Sequence, residues 1–336
     1  MRRVTSTDVA KYAGVSQSAV SRAFSSHASI APATREKILA AAAELNYRPN
    51  KIPAIMLSGK SRMIGVVIGG LSNPFYASAL ECLASDLQAS GLQILLVHVE
   101  SALTLDSAIN QLMSYRIDAI VTSLAIGSKA VMRDLSNLRI PVICFNSLLT
   151  GPWISTVVSN NYQAGCSAAL LLMKQGVTQP VWLAGPKKNS ASRLRGKGFR
   201  EGLKEESGSI TSLVELRGDD TYESGYSAVA SFLKQGCRPD GMFCSNDMMA
   251  CGAIDALREH ADLRCPDDIV LIGYDNIPQG AWRSYDLTTF DQRSDLLVQV
   301  ALELLNQALI EETEPRTSTR VIDAQLIERG STQRHL

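Results

Sequence analysis

The sequence predicts a small all-α head followed by a larger α/β body. The chain has 336 residues, more than one hydrophobic core usually accommodates, so at least two domains are expected. Residues 1–62 contain ten Lys or Arg and three Asp or Glu, a net charge of +7, whereas the rest of the chain carries −7. From Met63 onward, apolar runs alternate with helical patterns, which indicates parallel sheets flanked by helices.

Three short helices are expected in the head. Thr5 and Asp8 have the spacing of a capping box, which satisfies backbone N–H groups at a helix start. Gly14 should end this helix because glycine tolerates a positive φ, and Ser16 should cap the second helix. A third helix is predicted over residues 34–45.

A glycine turn between the first two helices is typical of a helix-turn-helix, whose second helix enters the major groove of DNA. The charge of +7 on residues 1–62 independently indicates a polyanionic partner for the head. A small helical bundle with a basic surface is the alternative that these patterns leave open.

Several sequence blocks of the head resemble the lac repressor/galactose repressor (LacI/GalR) family of transcriptional regulators. The blocks are Thr7-Asp8-Val9-Ala10, Ala13-Gly14-Val15-Ser16, Val20-Ser21-Arg22, Thr34-Arg35-Glu36-Lys37-Ile38 and Leu45-Asn46-Tyr47-Arg48-Pro49-Asn50. The resemblance implies that Gln17, Ser18 and Arg22 face base edges, where arginine favours guanine. It also implies that three hydroxyl side chains hold phosphates: Thr5, Ser16 and Ser21.

Residues 48–61 resemble the hinge of this family, a helix that orders on operator DNA and presses an apolar wedge into the minor groove. A helix this short is not stable alone in water, so its folding can depend on DNA and on a partner chain. The resemblance implies that Asn50 and Lys51 contact DNA and that Met56 or Leu57 is the wedge. Packing of these residues against protein alone is the alternative.

Eight apolar runs of the body are expected to be strands: residues 64–68, 94–98, 119–121, 142–145, 181–184, 211–216, 241–244 and 269–272. The resemblance implies that they form two lobes, as in periplasmic sugar-binding proteins, with a ligand in the cleft between them. We therefore expect three parts: a helix-turn-helix domain over 1–47, a hinge helix and linker over 48–61, and an effector-binding domain over 62–336. Lobe one is expected to comprise about 62–160 and 291–322, and lobe two about 161–290 and 323–336.

Polar residues follow several of these runs, and ligands of open parallel sheets bind beyond the carboxyl ends of the strands. They match the family in the motifs Asn73-Pro74-Phe75, Phe145-Asn146, Asn160-Asn161, Arg195 with Gly198-Phe199, Asn246-Asp247, Gly273-Tyr274-Asp275 and residues 287–292. The expected effector-binding side chains are Asn73, Phe75, Asn146, Asn160, Asn189, Arg195, Asp220, Asn246, Asp275 and Gln292.

Amides, carboxylates and a guanidinium can together donate to and accept from vicinal hydroxyls, so a sugar, sugar acid or sugar phosphate is the expected effector. Two positions depart from the family. Asp220 stands where an aromatic stacking residue is common, and Asn160 stands where Asp is common. Both departures indicate an unusual ligand or an altered pose.

Other classes of function find less support. No apolar run approaches the roughly 20 residues of a membrane span, and the start of the chain lacks a secretory signal, so a cytoplasmic location is expected. The seven cysteines include no Cys-x-x-Cys and are expected to be reduced core residues rather than metal ligands. Phosphate-binding glycine loops, Gly-x-Ser-x-Gly and His-Glu-x-x-His are absent from the sequence, so we expect no catalytic residues and no cofactor.

The sequence therefore predicts a regulator, most simply a repressor, that binds a near-palindromic operator and is controlled by a sugar-like effector. One reading helix per chain requires a homodimer, and the C-terminal sequence lacks leucine heptads for a tetramerising coiled coil. Two alternatives remain: a cytoplasmic sugar-binding protein, and a phosphosugar or NAD enzyme of the α/β class.

Overall fold

The computed structural model describes residues 4–24, 29–49, 60–99, 105–124, 129–206, 213–261, 263–310 and 317–334. The chain divides into two compact units, residues 1–61 and 62–336, which we call the head and the body. Four residues with a predicted role in DNA binding lie outside the described residues: Asn50, Lys51, Met56 and Leu57.

The head contains the helices α1 Ser6–Ala13, α2 Gln17–Ala23 and α3 Pro32–Glu44. The predicted capping box is confirmed, because the Asp8 carboxylate accepts from the Thr5 amide at 2.8 Å and the Thr5 hydroxyl accepts from the Asp8 amide. Gly14 has a φ of 61° after α1, and the Ser16 hydroxyl accepts from the Ala19 amide at the start of α2.

The predicted start of the third helix was wrong, because α3 begins at Pro32 rather than at residue 34. Proline suits the first helical position, where the N–H that it lacks would have no helical partner. Each helix contributes one fully buried side chain to the centre of the head: Val9, Val20 and Ile38.

Lobe one is built on a six-stranded parallel sheet in the order β11-β5-β4-β3-β1-β2. Its strands are β1 Met63–Ile68, β2 Gln93–His98, β3 Ala119–Thr122, β4 Val142–Phe145, β5 Ile154–Ser159 and β11 Thr319–Ile322. The helices of this lobe are α4 Pro74–Ala89, α5 Leu105–Met113, α6 Lys129–Asn137 and α11 Ser294–Ile310. Helices α4 and α11 pack in one hydrophobic core, and α5 and α6 in another.

Lobe two is built on a four-stranded parallel sheet in the order β7-β6-β8-β9. Its strands are β6 Pro180–Ala184, β7 Val214–Arg217, β8 Gly241–Cys244 and β9 Val270–Ile272. Its helices are α7 Asn161–Lys174, α8 Ser190–Glu206, α9 Tyr222–Lys234 and α10 Asp247–Ala261. Trp182, Phe199 and Phe243 form the aromatic centre of the core beneath α7 and α8.

A third, two-stranded antiparallel sheet pairs β10 Thr289–Asp291 with β12 Gln325–Ile327. These strands lie where the chain passes between the lobes, since β10 precedes α11 of lobe one and β12 follows β11. Short 3-10 helices occur at Pro278–Ala281 and Gly330–Thr332.

The predicted strand over 211–216 begins late, since the structure places β7 at Val214–Arg217. Strands β5, β10, β11 and β12 were not predicted. All seven cysteines lie among the described residues, and none of them forms a disulfide bond. Within the described ranges, no helix combines the length and the apolar character needed to cross a membrane.

Candidate functional site

Four side chains that were predicted to face DNA lie exposed on α2: Gln17, Ser18, Ser21 and Arg22. The Nε atom of Arg22 donates to the backbone oxygen of Ser18 at 3.4 Å. This bond does not use the terminal guanidinium nitrogens, which are donors suited to O6 and N7 of guanine.

Side-chain hydrogen bonds fix the start of this helix. The hydroxyls of Ser16 and Ser18 lie 2.9 Å apart, and the amide of Gln17 donates to the hydroxyl of Ser6 at 3.1 Å. The exposed hydroxyl of Thr5 donates to the Asp8 carboxylate at 2.7 Å. Hydrogen bonds therefore hold two of the predicted phosphate-contacting hydroxyls, those of Thr5 and Ser16, in defined positions.

In the body, the buried carboxylate of Asp275 links the two lobes. Asn73 Nδ2 donates to Asp275 Oδ2 at 2.8 Å, and Gln292 Nε2 donates to Asp275 Oδ1 at 2.6 Å. Asn73 precedes α4 of lobe one, Asp275 follows β9 of lobe two, and Gln292 follows β10. Burial raises the pKa of Asp275 to about 7, although Arg195 and both amides oppose the shift.

Arg195 is 4% exposed, and its guanidinium carbon lies 3.9 Å from the centre of the Tyr274 ring, a cation–π contact. The Tyr274 hydroxyl is hydrogen-bonded to Ser159 at 2.6 Å. Nε and Nη1 of Arg195 are buried and have no hydrogen-bond partner among the described residues. Because unpaired buried donors are costly, these N–H groups indicate an acceptor supplied from outside the chain.

Asp220 presents a carboxylate oxygen to the same region. Its Oδ2 accepts from Asn189 Nδ2 at 3.0 Å, and its backbone oxygen accepts from Asn246 Nδ2 at 2.9 Å. Its Oδ1 is buried and finds no partner in the part of the chain that the structure describes. Burial raises the pKa of Asp220, whereas the Asn189 amide and the charge of Arg195 lower it.

Asn189 and Asn246 act mainly as supports for Asp220. The side-chain oxygen of Asn189 accepts from the Ser192 amide at 3.1 Å, and that of Asn246 accepts from the Met249 amide at 2.9 Å. Each amide thus bonds Asp220 on one side and the first turn of a helix on the other.

Phe75 and Asn146 occupy the lobe-one side of the site. The Phe75 ring is 5% exposed and stacks on Phe145 with centroids 6.2 Å apart. Asn146 follows Phe145 with a φ of 55°, and its buried Oδ1 has no hydrogen-bond partner within the described ranges. A backbone with positive φ is tolerated better by Asn than by most side chains.

Tyr76 was missed by the sequence patterns but lies among these side chains. Burial raises the pKa of its hydroxyl, and the carboxylates of Asp275 and Asp220 raise it further. Arg195 and a hydrogen bond with Asn146 act in the opposite direction. The place of Tyr76 directly after the Asn-Pro-Phe motif is the signal that could have identified it.

Asp247 was also missed, although the Asn-Asp motif that contains it was noted. Its carboxylate is fully buried and accepts from the Ile277 amide at 2.9 Å and from the Thr289 hydroxyl at 2.6 Å. Burial raises its pKa to about 6, and these hydrogen bonds oppose the shift. Asp247 therefore fixes the segment that carries Asp275 against the crossover strand β10.

Asn160 takes part in a different set of contacts from the other predicted effector-binding residues. Its Nδ2 donates to Asp323 Oδ1 at 2.8 Å, and its Oδ1 accepts from the Gln163 amide at the start of α7. These bonds join two crossovers between the lobes, β5 to α7 and β11 to β12. The contacts of Asn160 are those of a structural residue.

The chain combines a helix-turn-helix head with a two-lobed body in which buried polar groups converge. This combination defines the class of DNA-binding regulators that a small molecule controls. Residues 5–50 match the family model for bacterial regulatory proteins of the lacI family. Residues 61–329 match the model for periplasmic binding proteins and the sugar binding domain of the LacI family. The chain belongs to the LacI family of bacterial regulatory proteins, as the sequence blocks of its head indicated.

Individual relatives match over almost the whole length. The HTH-type transcriptional repressor PurR of Klebsiella pneumoniae is 30% identical, with 97% of this chain and 96% of that protein covered. The ribose operon repressor of Escherichia coli K12 is 28% identical over 97% of this chain and 99% of its own length. The crystal structure of the Lac repressor dimer bound to operator and the anti-inducer ONPF superimposes with a TM-score of 0.85, at 28% identity, over 98% of this chain and 99% of that one. This chain is thus a DNA-binding transcriptional repressor and not an enzyme.

Proposed function

We propose that this repressor binds a near-palindromic operator as a homodimer. A small sugar or sugar derivative that binds in the cleft between the lobes lowers or raises its affinity for that operator. The observation that carries the proposal is the convergence of unpaired buried polar atoms on that cleft. They are Arg195 Nε and Nη1, Asn146 Oδ1, Asp220 Oδ1 and Gln292 Oε1, unpaired within the described residues. Such a mixture of donors and acceptors matches a polyhydroxylated ligand.

The head supports the DNA side of the proposal. Its exposed α2 side chains are those expected to read base edges, and residues 1–62 carry the charge of +7 that attracts phosphates. The Lac repressor structure that this chain resembles is a dimer on its operator. A single reading helix per chain fits the same arrangement, since two half-sites need two heads. A DNA-binding protein of this kind works in the cytoplasm.

The hinge is the proposed link between cleft and operator. We assign residues 1–47 to the DNA-binding domain, 48–61 to the hinge and linker, and 62–336 to the effector-binding domain. A hinge helix of this length is marginal, so a change in the relation of the lobes can favour or disfavour it. Because coupling is reciprocal, the effector must bind the free and the operator-bound dimer with affinities that differ by the same factor.

Fluorescence anisotropy with the upstream DNA of the chain's own gene tests the proposal. The purified chain should bind that DNA with a stoichiometry of two chains per site, and a sugar identified by calorimetry should change the affinity. Binding of operator with no response to any sugar, sugar acid or sugar phosphate would contradict the proposed effector class.

A sugar-binding protein that does not bind DNA is the alternative function. The same titration separates the two, because that alternative predicts sugar binding with no preference for upstream DNA over random DNA. The basic head and its match to the family model favour the repressor.

A further inference from the structure

The side chain of Asp220 is arranged for a ligand group of defined hydrogen-bonding character. Asp220 has a φ of 70°, follows β7 and faces the end of β6. A Cβ atom added at Gly185, after β6, would lie 2.3 Å from Asp220 Oδ1 and 3.0 Å from the Ser245 hydroxyl. This close approach leaves Oδ1 no room to move toward β6, and Asn189 holds Oδ2 from the other side. The carboxylate is therefore fixed, with Oδ1 as an acceptor that needs a donor.

Arg195 has the opposite requirement. Its Nε and Nη1 atoms need acceptors, and the Tyr274 ring beneath the guanidinium fixes its plane. Burial raises the pKa of the Asp220 carboxyl group and the charge of Arg195 opposes that shift, so the two charges interact, yet no hydrogen bond between them is seen in the described residues. A ligand at this place thus meets a fixed donor pair and a fixed acceptor.

A hydroxyl group satisfies both requirements, because it donates one hydrogen bond and accepts others. An ionised carboxylate or a phosphate dianion only accepts, so such a group at this place would pair with Arg195 and face the unpaired oxygen of Asp220 with like charge. On the strength of this arrangement, and resting on the proposed function, we infer that the effector is an uncharged sugar whose hydroxyls bridge Arg195 and Asp220, and that Asp220 excludes sugar acids and sugar phosphates.

The balance of buried charge supports this inference. Asp220 and Asp275 are two carboxylates of the cleft, and Arg195 is the guanidinium that acts on both. Lys187, on the loop after β6, is exposed, so water and salt screen its charge far more than that of the buried groups. An anionic ligand would consequently lose its hydration without a matching excess of buried positive charge.

Calorimetry on the full-length chain at about pH 8, where carboxyl groups are ionised, tests the inference. The probes are matched sets: glucose, glucuronic acid and glucose 6-phosphate; galactose, galacturonic acid and galactose 6-phosphate; ribose and ribose 5-phosphate. We expect an uncharged sugar to bind at least about tenfold more tightly than its anionic counterparts, as like-charge repulsion requires.

Asp220→Asn is the informative variant, because Asn tolerates the positive φ and can still accept from Asn189 while turning its NH2 toward the ligand. The gap, meaning the ratio of the dissociation constant of an anionic sugar to that of its neutral counterpart, should shrink by about tenfold or more in this variant. Asp219→Asn is the matched control: it removes a charge from the exposed neighbouring residue and should leave the gap unchanged.

Three results would overturn the inference: tighter binding of a sugar acid or phosphate by the parent, an unchanged gap in Asp220→Asn, or an equal reduction in both variants. Operator binding and the circular dichroism spectrum of each variant show that it is folded. If no sugar of any class binds while operator binding is intact, the proposed function itself fails, which is a different outcome from a sugar that binds without charge discrimination.

Discussion

The amide of Asn73 donates to the carboxylate of Asp275 at 2.8 Å, although the two residues lie 202 positions apart and belong to different lobes. Asn73 also accepts from the Phe75 amide at 3.0 Å, so it caps α4 of lobe one while it holds a side chain of lobe two. Any ligand or substitution that alters Asp275 therefore acts directly on the relation between the lobes. Asp275 is therefore both a predicted ligand contact and part of the hydrogen bonding that holds the two lobes together.

The raised pKa of Asp275 leads to a prediction about stability. A carboxyl group with a pKa of about 7 in the fold, against an unfolded value near 3.8, makes the folded state bind more protons than the unfolded chain between these values. The free energy of unfolding should therefore fall as pH rises through this range, by at most about 1.4 kcal/mol per pH unit for one such group.

Asp275→Asn should remove that part of the dependence, most visibly between pH 6 and 7.5, because Asp247 with a pKa of about 6 contributes mainly at lower pH. Denaturation followed by tryptophan fluorescence reports on the body alone, since Trp153, Trp182 and Trp282 all lie there. Equal pH dependence in parent and variant would show that Asp275 does not titrate in this range.

Gly185→Ala tests the geometry around Asp220. The added methyl group would lie 2.3 Å from Asp220 Oδ1, so the carboxylate must shift and effector affinity should fall by about tenfold or more, the equivalent of one disturbed hydrogen bond to a charged group. Gly280→Ala is the control, since its Cβ would make only ordinary contacts of 3.5 Å or longer. Calorimetry that finds the same affinity in both variants would contradict the placement of Asp220.

Arg22→Ala tests base reading by α2. If Arg22 binds a guanine, its loss should cost about 1–3 kcal/mol at the operator and relax preference at one base position, with effector binding intact. Lys51→Ala should instead weaken binding to all sequences alike, as loss of a phosphate contact does. Anisotropy titrations on operator, single-base variants and random DNA distinguish these effects, and an equal loss on all of them for Arg22→Ala would exclude its assigned role.

Much of the architecture could be predicted from the sequence because it depends on local rules. The caps at Thr5 and Ser16 and the strands at 142–145 and 241–244 follow from short-range hydrogen bonding and from continuous apolar runs. Strands β11 and β12 could not be found this way, because both are short, β11 is largely exposed and β12 only partly buried, and both owe their structure to pairing with distant strands.

The sequence predicted which residues lie in the site better than it predicted what each of them contacts. Asp275, Arg195 and Asp220 were expected in the cleft because they follow strands, but their partners depend on tertiary contacts. Asn160 was predicted to bind the effector because the Asn160-Asn161 motif matches the family. In the structure its amide donates to Asp323 and so joins two chain crossovers between the lobes. Tyr76 was overlooked because a tyrosine on a helix gives no periodic signal that separates a ligand contact from core.

In the proposed function, a sugar in the cleft changes the affinity of the head for operator DNA. The most direct test is an operator titration of the parent and of Asp275→Ala, with and without the sugar found by calorimetry. We expect the sugar to change the operator affinity of the parent by about 5- to 150-fold, the usual range of allosteric coupling. Asp275→Ala also removes the hydrogen bonds to Asn73 and Gln292, so its operator affinity is measured first without sugar, and that affinity should then show no response when sugar is added. A variant that binds the sugar and responds to it like the parent would contradict the assignment of the cleft.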